Sequence, residues 1–238
     1  MVAQQTFHRY ERHTLAIGGR LNWLRAGVLG ANDGIVSTAG VVAGVAGATS
    51  DLMPILTAGV AAAVAGSMSM AGGEYVSVSS QRDAEKATLG KERWELANLP
   101  EQELNELAGL YRAEGFSEST AMQAAKEVTA RDPLGAHASM ELGIDPDALT
   151  SPWAAAMASF VAFAFGAVVP ILAVALPPAT WRIQAAFGFT VLGLLLTGWL
   201  SARLGSAPWL PAVVRNVSVG VLTMVITYGV GMVFGVTL

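Results

Sequence analysis

The sequence predicts an all-α polytopic membrane protein, with five membrane-crossing helices and a polar helical insert between the second and third. Three observations carry that expectation. Of the 238 residues, 53% are hydrophobic and only 13% charged, about half the charged share of a soluble domain. The apolar residues gather into runs of about 20 or more, enough to cross hydrocarbon at about 1.5 Å of rise per residue. These runs are continuous rather than alternating, which favours helices over a barrel. Charge is also segregated. Residues 81–150 hold 14 of the 18 acids and 7 of the 14 bases, a net −7, which leaves +3 in the remainder. Such an acidic insert disfavours nucleic acid and favours cations as partners.

Residues 1–26 form a polar segment with Arg9, Arg12, Arg20 and Arg25. It lacks the short apolar core and cleavage site of a removable signal peptide. The first span runs over about 27–48, broken only by Asp33. After a turn at "TSDLMP" the second covers about 52–78, broken only by Glu74. The third follows Pro152 to about Leu176 and contains Pro170; "LPPAT" then leads into the fourth, about 182–203. The fifth extends from about 212 to the C-terminus. The expected division is therefore 1–26, 27–80 (helices 1 and 2), 81–150 (the insert) and 151–238 (helices 3 to 5). Lys and Arg near the span ends place the N-terminus and the insert in the cytoplasm and the C-terminus on the far side, where Arg182 is the sole basic residue of the loops.

The insert reads as helices with clear punctuation. Residues 81–98 continue the second span as a polar helix ended by "NLP". "PEQELNELAGLYRAEG" gives another, with Leu104, Leu107 and Leu110 at helical spacing and Gly115 as its stop. Ser117 is placed to cap a third, to about Ala130, and "DPLGAHASMELGID" reads as a shorter fourth.

Chemistry is concentrated in two places. In the insert, Glu92 and Glu95 precede the Pro100 break and Glu103 and Glu106 follow it, so a helical hairpin turns both pairs into one groove, with Glu141 arriving from the last helix. Clustered carboxylates repel unless cations sit between them, and divalent ions are their natural occupants. A solvated face of mixed charge fits the same spacing. His137 stands four residues before Glu141 and shares its helical face; by pattern alone a surface histidine fits better than a metal ligand. In the membrane, Asp33 and Glu74 are the acids well inside the spans, where such groups mark ion or proton pathways. Counted from the turn at residue 51, Asp33 and Met70 fall at nearly equal depth. One carboxylate facing one thioether suits an Fe²⁺-like ion better than Mg²⁺ or Ca²⁺. Gly30/Gly34, Gly40/Gly44 and Gly231/Gly235 permit close helix approach, within a subunit or across a dimer. With no cysteine there are no disulfides or thiolate sites, and no nucleophile–base set supports an enzyme.

"GANDGIVSTAGVVAGVAGA", "GSMSMAGGEYVSVSSQRDAE", "FAFGAVVPILA" and "TYGVGMVFG" resemble, in order, the vacuolar iron transporter (VIT) family over nearly the whole chain. The resemblance implies a homodimer of five-helix subunits that exports Fe²⁺, with Mn²⁺ as a further cargo, from the cytosol in exchange for protons. It implies no prosthetic group; the metal is substrate. Position by position it assigns the pathway to Asp33 and Met70, and metal binding to Glu92, Glu95, Glu103, Glu106 and Glu141. Glu74 in "GGEYVS" is as in bacterial-type members, which implies a bacterial cytoplasmic membrane. Plant-type members carry a methionine pair before the last glutamate where this chain has His137 and Ala138, so His137 is the candidate substitute. The alternative function is a metal-binding membrane sensor or scaffold that transports nothing.

Overall fold

The computed structural model describes residues 16–235, with side chains described from Gly27 onward. The expected N-terminal segment 1–26 thus lies outside the described residues over 1–15, and its side chains throughout. Every described regular element is helical: α1 (Ala16–Ala48), α2 (Leu52–Asn98), α3 (Pro100–Ala113), α4 (Glu118–Arg131), α5 (Pro133–His137), α6 (Pro152–Ala175), α7 (Arg182–Leu204) and α8 (Trp209–Gly235). Five helices are long and apolar enough to cross a membrane, within α1, α2, α6, α7 with its preceding turn, and α8. The chain divides into two compact units, residues 76–152 and the residues on either side.

The membrane unit is assembled on glycine. Lipid supplies no hydrophobic drive between apolar helices, so close backbone approach must supply the contact. Gly40 of α1 lies against Thr223 and Thr227 of α8, Gly44 against Thr227, and Gly47 against the Tyr228 carbonyl. In return Gly231 of α8 seats on the Gly44 backbone and Gly235 on Ala48. The two glycine motifs are therefore spent on each other inside one chain, as parallel neighbours advancing a turn at a time. Ala39, Ala43 and Met224 form the buried core of this contact, with Phe187 and Tyr228 packed onto it.

A second contact involves α6. The Gly34 position faces the backbone of Phe163, and Gly166 faces the carbonyl of Ala31. The Phe163 ring is buried and lies over Gly66 of α2. One phenylalanine thus wedges α6 against both α1 and α2, immediately beside Asp33.

At the other end of these helices Val42, Ile55, Val174 and Ala186 form an apolar cluster, and Arg182 ties its rim. The guanidinium is buried; Nε donates to the Val174 carbonyl (3.2 Å) and Nη1 to the Ser50 carbonyl (2.8 Å). Val174 lies in the last turn of α6, where orphan carbonyls and the helix dipole favour a cation, and Ser50 lies in the loop between α1 and α2.

In the unit of residues 76–152, α3 begins with Pro100 at its first position, carries Glu101 and Glu103 in the first turn and Arg112 in the last, a distribution that suits the dipole. Ser117 caps α4, its Oγ accepting from the Thr120 amide at 3.3 Å. Asp132 caps α5, accepting from the Gly135 amide at 2.9 Å. Leu107, Ala108 and Ala125 make the core of the α3–α4 pair, with Met122 and Met140 packed against it. The expected fourth helix is divided: α5 passes into a π-turn, Ala138–Leu142, which ends at Gly143 with a left-handed φ of 64°.

Candidate metal centre

The hub of the insert is His137. Its ring is fully buried, and Glu92 and Glu103 are 4% and 5% exposed. Nδ1 lies 3.0 Å from Glu92 Oε1, 3.6 Å from Glu103 Oε2 and 3.7 Å from Glu141 Oε2. Three elements supply these groups: α2 brings Glu92, α3 brings Glu103, and the α5–π-turn segment brings His137 and Glu141. Helical spacing and the three breaks, at Leu99, at 114–117 and at Asp132, fold all of them to one point. The surface position that the pattern favoured for His137 does not hold, because the ring is the centre around which the carboxylates close.

Neither ring nitrogen of His137 has a hydrogen-bond partner among the described residues, and neither does Glu92 Oε1. The 3.0 Å separation is short enough for a hydrogen bond, but the alignment is not that of one. Buried polar atoms without partners are rare and mark a missing ligand or a functional constraint. Glu92, His137 and Glu141 each offer a ligand atom, all within 4.8 Å of one another.

The other glutamates hold different stations. Glu95 is half-buried and pairs with Lys91 at 2.9 Å, and Glu106 is exposed. Both still act on the hub through space. Burial is the main cause that lifts the Glu103 carboxyl above its ordinary range, with Glu106 the next upward influence; His137 opposes it, and Glu95 and Glu141 add to the rise. For Glu92 burial again dominates, His137 opposes, and Glu141, Glu103 and Glu95 push upward. The group is a buried trio, Glu92, Glu103 and His137, which the exposed Glu141 closes from the solvent side, with Glu95 and Glu106 at its margin.

These shifts set a pH dependence. A carboxyl raised above its ordinary 4.5 holds a proton in the folded state that the unfolded chain has released. The metal-free insert is therefore expected to gain stability as pH falls through the raised values toward the ordinary 4.5, and to lose it as pH rises through them. Hydrogen exchange of α3 and α5 in chelator-treated protein, corrected for intrinsic rates, should show protection rising on acidification. Protection that falls in this interval contradicts the assignment. Metal affinity should move in the opposite sense, since the ion competes with those protons.

In the membrane unit Asp33 is half-buried on α1 and accepts a hydrogen bond from Ser37 Oγ, one turn on. Met70 and Glu74 are also half-buried, on α2. A Cβ built on Gly30 falls 3.4 Å from Met70 Sδ, so the thioether rests against α1 one turn before Asp33. Farther up the hairpin, Gly59 meets Val42. This register is one to two residues off the count from residue 51, and Met70 meets α1 a turn below the carboxylate rather than beside it. Gly30 leaves room for the thioether and the Ser159 carbonyl, and Gly34 admits α6. Sequence reasoning missed Gly66, Gly166 and Phe163; for the latter two the signal was the aromatics among the small residues of "SFVAFAFGA".

The sequence model of the VIT family matches residues 24–232. A protein of Acanthamoeba castellanii named vacuolar iron transporter is 44% identical over 222 residues, covering 93% of this chain and 82% of its own. Vacuolar iron transporter homolog 2 of Arabidopsis thaliana is 33% identical over 226 residues, covering 94% and 91%. Vacuolar iron transporter homolog 1 of Oryza sativa is 35% identical over 217 residues, covering 91% and 75%.

Proposed function

The chain belongs to the VIT family, and from that membership we propose that it exports divalent iron, with manganese as a second cargo, from the cytosol in exchange for protons. Members of the family are transporters, and the chain is not an enzyme. The observation that carries the metal assignment is the buried His137, with no hydrogen bond to either ring nitrogen, facing the carboxylates of Glu92, Glu103 and Glu141. No ordinary core needs three acids around one imidazole, whereas a cation satisfies all four side chains at once.

In this reading the insert collects metal from the cytosol, with Glu95 and Glu106 as its outer carboxylates. The membrane unit carries the ion past Glu74, Met70 and Asp33. Exchange follows from chemistry: each carboxylate holds either metal or a proton, so protons arriving from the far side release the ion. The positive-inside distribution puts the N-terminus and the insert in the cytoplasm and the C-terminus opposite. The relatives are named for the vacuole; for this chain we assign the cytoplasmic membrane of a bacterium, working as a homodimer.

Purified protein reconstituted into liposomes tests the whole. Fe²⁺ flux is expected to follow an imposed proton gradient, and Fe²⁺ added without a gradient should drive proton movement of opposite direction. Metal flux indifferent to the gradient overturns the coupling. Metal binding without any flux favours the sensor or scaffold instead.

A further inference from the structure

We propose that His137 sets the metal preference of the insert, turning an all-oxygen carboxylate site into a mixed nitrogen–oxygen site for the later first-row ions Co²⁺, Ni²⁺ and Zn²⁺ over Mn²⁺, Mg²⁺ and Ca²⁺. This selectivity rests on the metal-binding reading above and adds to it the ligand atom and the class of ion that the insert retains best. Nδ1 is that atom, since it faces Glu92, Glu103 and Glu141 at 3.0–3.7 Å.

The donor inventory decides the class. Residues 76–152 contain no cysteine, one histidine and two methionines, Met122 and Met140. Both methionines pack against the Leu107–Ala108–Ala125 core. Met140 also precedes Glu141 directly, which turns it to another face of its helical turn. Nitrogen is therefore the one donor other than oxygen available to the hub. Carboxylates alone suit hard ions such as Mg²⁺, Ca²⁺ and Mn²⁺, while an imidazole steepens the rise in affinity from Mn²⁺ toward Co²⁺, Ni²⁺ and Zn²⁺.

A core histidine with a purely structural role is the competing account. Such a ring normally gives one nitrogen to a backbone carbonyl or a hydroxyl; here neither nitrogen makes a hydrogen bond, and Nδ1 lies instead among three carboxylates. Local backbone geometry points the same way. His137 ends α5, and the wide turn Ala138–Leu142 that follows carries Glu141 back toward the same imidazole. Single π-turns of this kind recur at functional sites.

The test uses full-length protein in detergent, stripped with chelator, in an Asp33→Asn background so that the insert is the site read. Co²⁺ is the probe, followed by its visible absorption, with Zn²⁺ and Mn²⁺ as competitors. Zn²⁺ is expected to displace Co²⁺ and Mn²⁺ at equal concentration to leave it bound. Loss of an outer-shell partner alone costs roughly 10–100-fold in affinity, so His137→Ala is expected to weaken Co²⁺ and Zn²⁺ by about 10-fold or more. Mn²⁺ should shift by less than about 3-fold, because oxygen donors remain. The nearly isosteric His137→Gln keeps the hub packed and should reproduce that split even where the alanine variant loses its fold. An unchanged Co²⁺-to-Mn²⁺ preference in His137→Gln, with Glu92→Gln still abolishing binding, overturns the role of His137 and leaves the metal-binding reading standing. Binding unaffected by either substitution overturns both.

Discussion

Gly231→Val is expected to prevent assembly of the membrane unit. A Cβ at this position falls onto the Gly44 carbonyl, and the Ala48 amide nitrogen lies 3.1 Å from it. Both obstacles are backbone, so no rotamer change relieves them and α8 must move away from α1. Inserting one methylene into a packed core costs about 1–3 kcal/mol when side chains can adjust; where helix backbones must separate, the loss is expected at or above about 3 kcal/mol. Moving α8 also opens the Ala39–Ala43–Met224 core, and lipid offers no compensating drive to close it. Gly188→Ala and Gly229→Ala provide the control, since a Cβ at either meets nothing within 4 Å and should change stability by no more than about 0.5 kcal/mol. Size-exclusion profiles of detergent extracts separate the cases: the valine variant should aggregate or vanish, and the alanine variants should elute as wild type. A monodisperse, thermally stable Gly231→Val would show that α1 and α8 are not held by this contact.

The five spans were legible because a membrane helix must satisfy its own backbone and face lipid, and both demands leave a long apolar run in the sequence. Ends were legible where punctuation is chemical, as at Pro100, Gly115 and Ser117. Partner choice was not. Gly40, Gly44, Gly231 and Gly235 announced close contact, yet a glycine does not name the helix that fills its space; the structure assigns both motifs to α1 and α8 of one chain. Helix register escaped for a similar reason. Counting residues from a turn assumes straight helices of equal rise, and the hairpin closes tighter than that, which sets Met70 against Gly30. Arg182 read as a loop cation, whereas its guanidinium is buried on two carbonyls.

In the insert, spacing identified the right carboxylates but could not rank them. Glu92 and Glu95 look equivalent on paper. One faces His137, and the other turns a few tens of degrees away to Lys91. His137 is the instructive case, because burial is a property of three converging helices and no window of sequence around it contains two of them.

Asp33→Asn is expected to abolish transport while leaving the protein folded. The amide keeps the size of the side chain and still accepts from Ser37 through its oxygen, the contact that now holds the carboxylate. Only the charge is lost. A carboxylate inside a span is costly to keep, so the variant should be at least as stable as wild type. For a cation passing this point the consequence is opposite: removing one partner of a desolvated charge pair costs about 3–5 kcal/mol, which is more than about 100-fold in affinity. Met70→Leu complements it. Leucine fills the space beside Gly30 and Ala162 without sulfur, so it should fold normally, transport more slowly, and shift selectivity away from Fe²⁺ toward harder ions. Glu92→Gln, in contrast, should reduce metal binding by the insert and slow transport at low metal, with flux recovering at high metal if the membrane unit can load directly. Fe²⁺ uptake into liposomes by the three variants, read beside their melting temperatures, distinguishes a pathway residue from a packing residue. A stable Asp33→Asn that carries Fe²⁺ at the wild-type rate would remove α1 from the ion's path, and the half-buried carboxylate at the centre of that helix would need a different explanation.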